Sequence, residues 1–260
     1  MSTPPNPTSS FLDILLAGDC ARLLALFSAS PHIDDPLFSP VRTLDQAEVY
    51  IIQRQSWLFE RRASLEPIRT TRNDQRTVFE CLLHLHLPTK EFALPLAVVG
   101  QHAIGSHRLQ AVRLYHSLWP LFGRHRVRPP LLPLDPSIHL GDVILAYQDA
   151  LAQGDIPAIL AAFEPDGYFR EPAGAEFVYQ GHARLLEFMT HLLHNGGITL
   201  QHCTATDDGV ACAIEFNAVR FGRHALQPQA GVAVYERGHS GRLHAARIYD
   251  DVNVEALTSS

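Results

Sequence analysis

At 260 residues, 46% of them hydrophobic, the chain is long enough for one large domain or two of ordinary size with packed cores. A formal charge of -6 and a pI near 6.2 give no electrostatic footprint for nucleic acid, and the one basic cluster, Arg124-His125-Arg126-Val127-Arg128, reads as linker. No run approaches the apolar length of a membrane span and the opening MSTPPNPTSS lacks a basic region before an apolar core, so no membrane association is expected and a cytoplasmic protein is.

In chain order, Gly18-Asp19 punctuates a first pair of short helical segments, and Asp35 stands immediately before Pro36. A longer helix is predicted from about Leu44 to Arg61, and Glu66 opens the strand that follows. His84 and His86 alternate onto one face of a later strand. The stretch Arg124 to Ser137, RHRVRPPLLPLDPS, carries prolines that disfavour helix and favour a semi-rigid extended connector.

Beyond it, Tyr147 and Leu151 lie on one stripe of a predicted helix. Gly154-Asp155 ends that helix and starts the next, and Ile156 to Phe163 keeps helical apolar spacing. Turn chemistry at Glu164-Pro165-Asp166-Gly167 gives way to Tyr168-Phe169 and a short strand that presents Glu171 just before Pro172. A helix is predicted over Gly181 to His194. Strands follow over Ile198 to Thr206, Gly209 to Phe221, Ala225 to Arg237 and Gly241 to Val252, each rich in apolar and β-branched residues.

The chain repeats itself. Gly18-Asp19, Phe27 and Pro36 recur 136 residues later as Gly154-Asp155, Phe163 and Pro172. Ser106, Arg108, Leu109, Ala111, Arg113 and Tyr115 recur 134 residues later as Ser240, Arg242, Leu243, Ala245, Arg247 and Tyr249. Two copies of one domain are therefore expected, over 8–123 and 138–256, with 124–137 as the connector. Alternation along the last strand puts Arg247 and Tyr249 on one face and His244, Ala246, Ile248 and Asp250 on the other. Both copies retain the first pair, as Arg113 and Tyr115 in the first, so that face reads as structural. The opposite face differs, His116 against Asp250, and reads as a specialised pocket.

The order of these elements, with Tyr147, Leu151, Gly154-Asp155, Phe163, Glu171-Pro172 and Gly174 at the family spacing, resembles the nuclear-transport-factor-2-like superfamily. This superfamily of cone-shaped α+β domains includes ketosteroid isomerases, SnoaL-type polyketide cyclases and limonene-type epoxide hydrolases, and the resemblance runs to Asn253. It implies, in each copy, a helical hairpin, the acid-proline strand, a third helix and a strongly bent antiparallel sheet around an apolar pocket. Single domains of this superfamily commonly dimerise through the outer face of the sheet. The tandem is expected to form that pair within one chain, as an intramolecular pseudo-dimer for which a monomer suffices.

Carried over by position, Glu171 resembles the isomerase base and Tyr147 its oxyanion-donating tyrosine. In ketosteroid isomerases the acidity of the site's carboxyl groups is tuned by their surroundings. The sequence departs from that pattern twice. Glu171 is one methylene longer than aspartate, about 1 Å at the carboxylate, and the protonated acid of the oxyanion hole falls at about Gly231 and is missing. Asp250 and His244 resemble instead the acid that SnoaL-type cyclases keep near the end of the last strand, so that Glu171 and Asp250 would face one cavity as acid and base. In the first copy Phe11 replaces the tyrosine, while Asp35 and Glu66 resemble the acid pair of polyether epoxide-opening enzymes.

The four cysteines, Cys20, Cys81, Cys203 and Cys212, lack CxxC spacing and read as reduced, with Cys203 and Cys212 able to face each other across a hairpin turning at Asp207-Asp208. His84 and His86 have no third partner at metal-ligand spacing nearby, and His191 with His194 sits at the end of an amphipathic helix, so no metal is expected. No Gly-rich phosphate loop and no G-x-S-x-G elbow is present, so no cofactor is expected either. The sequence thus predicts a cofactor-free acid-base enzyme acting on an apolar small molecule, with a non-catalytic ligand-binding or scaffold protein as the alternative. Pocket volume separates them: an open cone lined by Tyr147, Glu171 and Asp250 favours the enzyme, a filled one the scaffold.

Overall fold

A Gly-Asp pair closes one helix and opens the next in each half of the chain, and the two sheets are built outward from those hairpins. The computed structural model describes residues 7–87, 90–103, 105–106 and 108–252. Asn253 and the expected end at 256 lie outside them. The chain divides into two compact units, residues 1–116 and 117–260.

In the first unit, α1 (Pro7–Ala17) ends at Gly18, whose φ of +72° suits a residue without a side chain. Asp19 then caps α2 (Cys20–Leu24), its carboxylate accepting from the Arg22 amide at 2.9 Å. After β1 (Phe27–Asp34), α3 (Leu44–Glu60) begins at a capping box in which Thr43 and Gln46 satisfy each other's amides. Four strands follow: β2 (Ser64–Arg72), β3 (Arg76–His86), β4 (Glu91–His102) and β5 (Leu109–Tyr115). They form one sheet in the order β1-β5-β4-β3-β2. Phe11 and Leu15 of α1, Tyr50 and Ile51 of α3, and Leu83, Leu94 and Leu96 of the sheet are all buried.

The second unit repeats this plan. After a single turn, α4 (Trp119–Phe122), come α5 (Asp142–Gln153), Gly154 at φ +73° and α6 (Ile156–Ala162), capped by Asp155 onto the Ala158 amide at 3.0 Å. Next are β6 (Phe163–Arg170), β7 (Val178–Gln180) and α7 (Gly181–Leu192). The remaining strands are β8 (Ile198–Asp207), β9 (Ala211–Phe221), β10 (His224–Arg237) and β11 (Leu243–Tyr249), and the sheet order is β7-β6-β11-β10-β9-β8. Three helices lie on one face of this sheet, closing a core of Ile144, Leu151, Phe163, Leu185, Met189 and Ile214 among others.

Four differences from the sequence reading have physical causes. Each sheet is antiparallel except for one pair, β1 with β5 and β6 with β11, which run parallel because the strand leaving the helical hairpin enters the sheet beside its last strand. Residues 164–167 are not a free turn. They lie within β6 as a bulge, the pairing jumping from Phe163 with Leu243 to Tyr168 with Ala245. The proline-rich stretch after Arg124 belongs to the second unit: its carbonyls at Arg128 and Leu132 accept from the Ala230 amide and Asn217 Nδ2, at 2.9 and 3.1 Å. Prolines remove amide donors but leave every carbonyl able to accept. Finally, Cys212 faces Asp207 across the hairpin, out of register with Cys203, and all four cysteines are free.

No helix among the described residues is long and apolar enough to cross a membrane.

Candidate active site

A cavity of about 740 Å³ opens in the second unit between its helices and the inner face of its sheet. Aromatic and aliphatic side chains such as Leu151, Phe169, Phe188, Leu200 and Ile248 make most of its wall, and Tyr147, Tyr179, Tyr235, Glu171 and Asp250 supply polar groups. Tyr147 reaches it from α5 and Tyr235 from β10, each 1% exposed, so the two phenols mark the inner end. Their rings tilt against one another at 5.3 Å between centroids. The Tyr235 hydroxyl accepts from Gln148 Nε2 at 2.7 Å, whereas the Tyr147 hydroxyl makes no hydrogen bond to any described residue. Burial pushes both phenols well above their ordinary value, so they remain protonated donors.

Glu171 sits beyond the end of β6 and accepts from the Tyr179 hydroxyl at 2.5 Å. Burial, and then this bond to a carboxylate, push the Tyr179 phenol up to about 12. Asp250 follows β11 and lines the same cavity. Desolvation, reinforced by the neighbouring charges of Asp251 and Glu171, raises its carboxyl from 3.8 to about 7, against the lowering effect of the Val252 amide and of His125. One cavity therefore holds a carboxyl group that is half-protonated near neutrality and a second, Glu171, engaged by a phenol. Such a pair can divide into an acid and a base.

Gly231 explains how Asp250 comes to be there. Val232 pairs with Tyr249 and Gly231 with Phe216, so residue 231 lies beside Asp250 on the inner face. A Cβ on residue 231 would fall 2.6 Å from the Phe216 ring and 2.7 Å from the Asp250 Cβ. The position that lacks an acid is thus the vacancy that a carboxyl from the next strand fills. Gly231→Ala is expected to lower turnover at least about tenfold, since a displacement near 1 Å is costly at a reacting centre, while costing about 1–3 kcal/mol of stability from overpacking. Activity measured alongside urea denaturation separates the two.

His244 does not join this site. A bulge at the start of β11 pairs Leu243 with Arg237 but Ala245 with Glu236, which breaks the alternation that would carry His244 inward. Its ring packs edge-on to Tyr168 at 5.7 Å and its Nδ1 is 3.7 Å from Glu164. Among the described residues, Glu164, Asp166 and His244 are the group whose ligand atoms lie close enough for a metal ion, within 4.8 Å. Glu164 there holds the β10-β11 turn by accepting from the Ser240 amide and hydroxyl at 3.1 and 3.0 Å, and these bonds lower its carboxyl.

The expected pair Asp35 and Glu66 is not brought together either. The two stand by opposite edge strands, β1 and β2, of the first sheet. Asp35 is buried and committed: its Oδ2 accepts from the Tyr50 hydroxyl at 3.0 Å and lies 3.2 Å from Arg54 Nε, and its Oδ1 accepts from the Leu37 amide. Glu66 is 60% exposed and bonded to His84 at 2.8 Å. Likewise, Glu171 takes its phenol from Tyr179 and not from Tyr147.

Tyr179, Tyr235, Trp119, His125 and Asp251 are contributions the sequence reading missed. Tyr235 was legible, since it shares the parity of position 231 on one strand. Asp251, 6% exposed, points away from its neighbour: it accepts from Ser117 Oγ at 2.6 Å, His125 Nδ1 at 2.8 Å and the Arg126 amide at 2.7 Å. Burial alone would raise its carboxyl, but these donors bring it below the ordinary value.

Residues 144–245 match the family model of the SnoaL-like domain. Among solved structures, the chain is similar to a provisionally assigned polyketide cyclase from Sinorhizobium meliloti, at 20% identity over 42% of this chain and 94% of that one, TM-score 0.36. It is also similar to a limonene-epoxide-hydrolase-like enzyme from M. tuberculosis, at 21% identity over 42% and 80%, TM-score 0.36. A third is SalBIII, an epoxide hydrolase/cyclase-like enzyme of pyran ring formation in the polyether salinomycin, at 18% over 42% and 87%, TM-score 0.35. No curated protein matches the chain.

Proposed function

We propose, starting from the SnoaL-like domain formed by residues 144–245, that the second unit is a cofactor-free enzyme that moves a proton next to the carbonyl of an apolar small molecule. The observation that carries this reading is the open cavity of about 740 Å³ lined by Tyr147, Glu171 and Asp250. A cone filled by side chains would have favoured a scaffold instead. In this reading Glu171 removes a proton from carbon, and the developing enolate oxygen lies at the inner end against the Tyr147 and Tyr235 hydroxyls. Asp250, protonated below about pH 7, returns a proton at the site of isomerisation or ring closure. Epoxide opening uses the same groups differently, Asp250 protonating the epoxide oxygen while Glu171 activates water.

The test uses a surrogate ketone. In deuterated water, the full chain is expected to accelerate deuterium incorporation beside the carbonyl of β-tetralone, a bicyclic ketone, followed by NMR. Glu171→Gln is expected to slow incorporation roughly 10²–10³-fold while the ketone still raises the denaturation temperature. Full incorporation in that variant removes Glu171 as the base. A wild-type chain that binds ketones and epoxides but transforms neither is a ligand-binding protein.

A further inference from the structure

The roof of the cavity comes from residues that precede the SnoaL-like segment. Trp119 and His125 line it, and their rings stack at 6.5 Å between centroids with 25° between planes. Trp119 also meets Phe177, across the cavity wall, edge-on at 6.4 Å. His125 is fixed by Asp251. That carboxylate accepts from Ser117 Oγ and the Arg126 amide as well, so it is the acceptor in all three contacts and His125 Nδ1 must be the donor. The imidazole is thereby set in the tautomer whose lone pair is on Nε2. With its side chain 32% exposed, His125 touches both solvent and cavity. The titratable groups that share the cavity with it are Glu171, Tyr147, Tyr179, His191, Tyr235 and Asp250.

We propose that His125, oriented by Asp251, is the proton relay between bulk water and Asp250, supplied by the segment that leads into the domain. This rests on the acid-base reading of the cavity. When Asp250 has given its proton to the substrate, the Nε2–H bond of the imidazolium breaks and an O–H bond forms on the Asp250 carboxylate, directly or through one water. The neutral imidazole then takes a proton from solvent, and Glu171 gives the proton it took from carbon back to solvent, so the cycle closes with no net gain of protons. Asp251 stays ionised throughout and holds the ring by Nδ1–H.

Deuterium incorporation into β-tetralone measures this step, because label reaches the cavity only by exchange with solvent. His125→Gln is expected to lower the rate of incorporation at saturating ketone at least about tenfold, with half-saturation changed less than about threefold, and added imidazole is expected to restore much of it. Asp251→Asn is expected to slow incorporation similarly without rescue by imidazole, since the native ring still blocks the position. The chain has two tryptophans. In a Trp57→Phe background Trp119 emission reports the stacked histidine, and its quenching on acidification is expected to vanish with His125→Gln. Incorporation by His125→Gln at the wild-type rate, or a slow variant that imidazole does not rescue, overturns the relay and leaves the acid-base reading intact. A wild-type chain that binds β-tetralone and incorporates nothing overturns that reading, and the relay with it.

Discussion

Asp250→Asn is expected to cut turnover by roughly two to four orders of magnitude and, above neutral pH, to make the protein more stable. Both effects come from one cause. The carboxyl lies in a largely apolar cavity where burial disfavours the charged form, so it titrates near 7 where the unfolded chain would release the proton near 3.8. Between those values the folded state holds a proton that the unfolded state has lost, so stability falls as pH rises through the window and levels off above it. The full cost of ionising the group in place is at most roughly 4 kcal/mol. Asparagine keeps the shape and never ionises. The variant should therefore unfold at a higher temperature than the wild type at about pH 9, and the gap should close toward about pH 4. Wild-type turnover should decline as pH rises through about 7, because the proton-donating form disappears. A variant with unchanged turnover, or with lower stability at alkaline pH, contradicts the assignment.

The largest stability loss is expected from Asp35→Asn in the first unit. Asp35 and Arg54 side chains are both fully buried, with Oδ2 and Nε 3.2 Å apart. The guanidinium is held over Trp57 at 4.7 Å and Phe38 at 5.7 Å, surfaces that accept cations but cannot replace a counter-charge. Removing one partner of a buried pair leaves the other charge uncompensated and costs about 3–5 kcal/mol. Thermal denaturation followed by Trp57 emission in a Trp119→Phe background should show a fall on the order of 10 °C in the first unit's transition. Glu66→Gln is the control: its pair with His84 is exposed, and such pairs contribute less than about 1 kcal/mol. Equal losses from the two variants would show that Asp35 is no keystone.

Most of the fold was legible because the repeated punctuation is local. Gly18-Asp19 and Gly154-Asp155 do the same work in both units, and the predicted bounds of α3, α7 and β8 to β11 agree with the structure to within a few residues. The site was legible where strand alternation holds, as at Asp250, and illegible where a bulge breaks it, as at His244. Nor does pattern reveal what an acid before a proline is bonded to. Asp35 and Glu171 are equivalent in sequence, yet one is locked against Arg54 and Tyr50 and the other faces a cavity. His125 was hidden by composition, because a basic, proline-rich stretch reads as a tether wherever its carbonyls end up.

Consecutive residues leaving a strand diverge, and here the two are both aspartates: Asp250 turns inward, while Asp251 clamps Ser117, His125 and Arg126. One peptide bond therefore joins the carboxyl that lines the cavity to the one that fixes His125. Any displacement of residues 117–126 that strains these three hydrogen bonds acts on the same backbone that positions the Asp250 carboxyl.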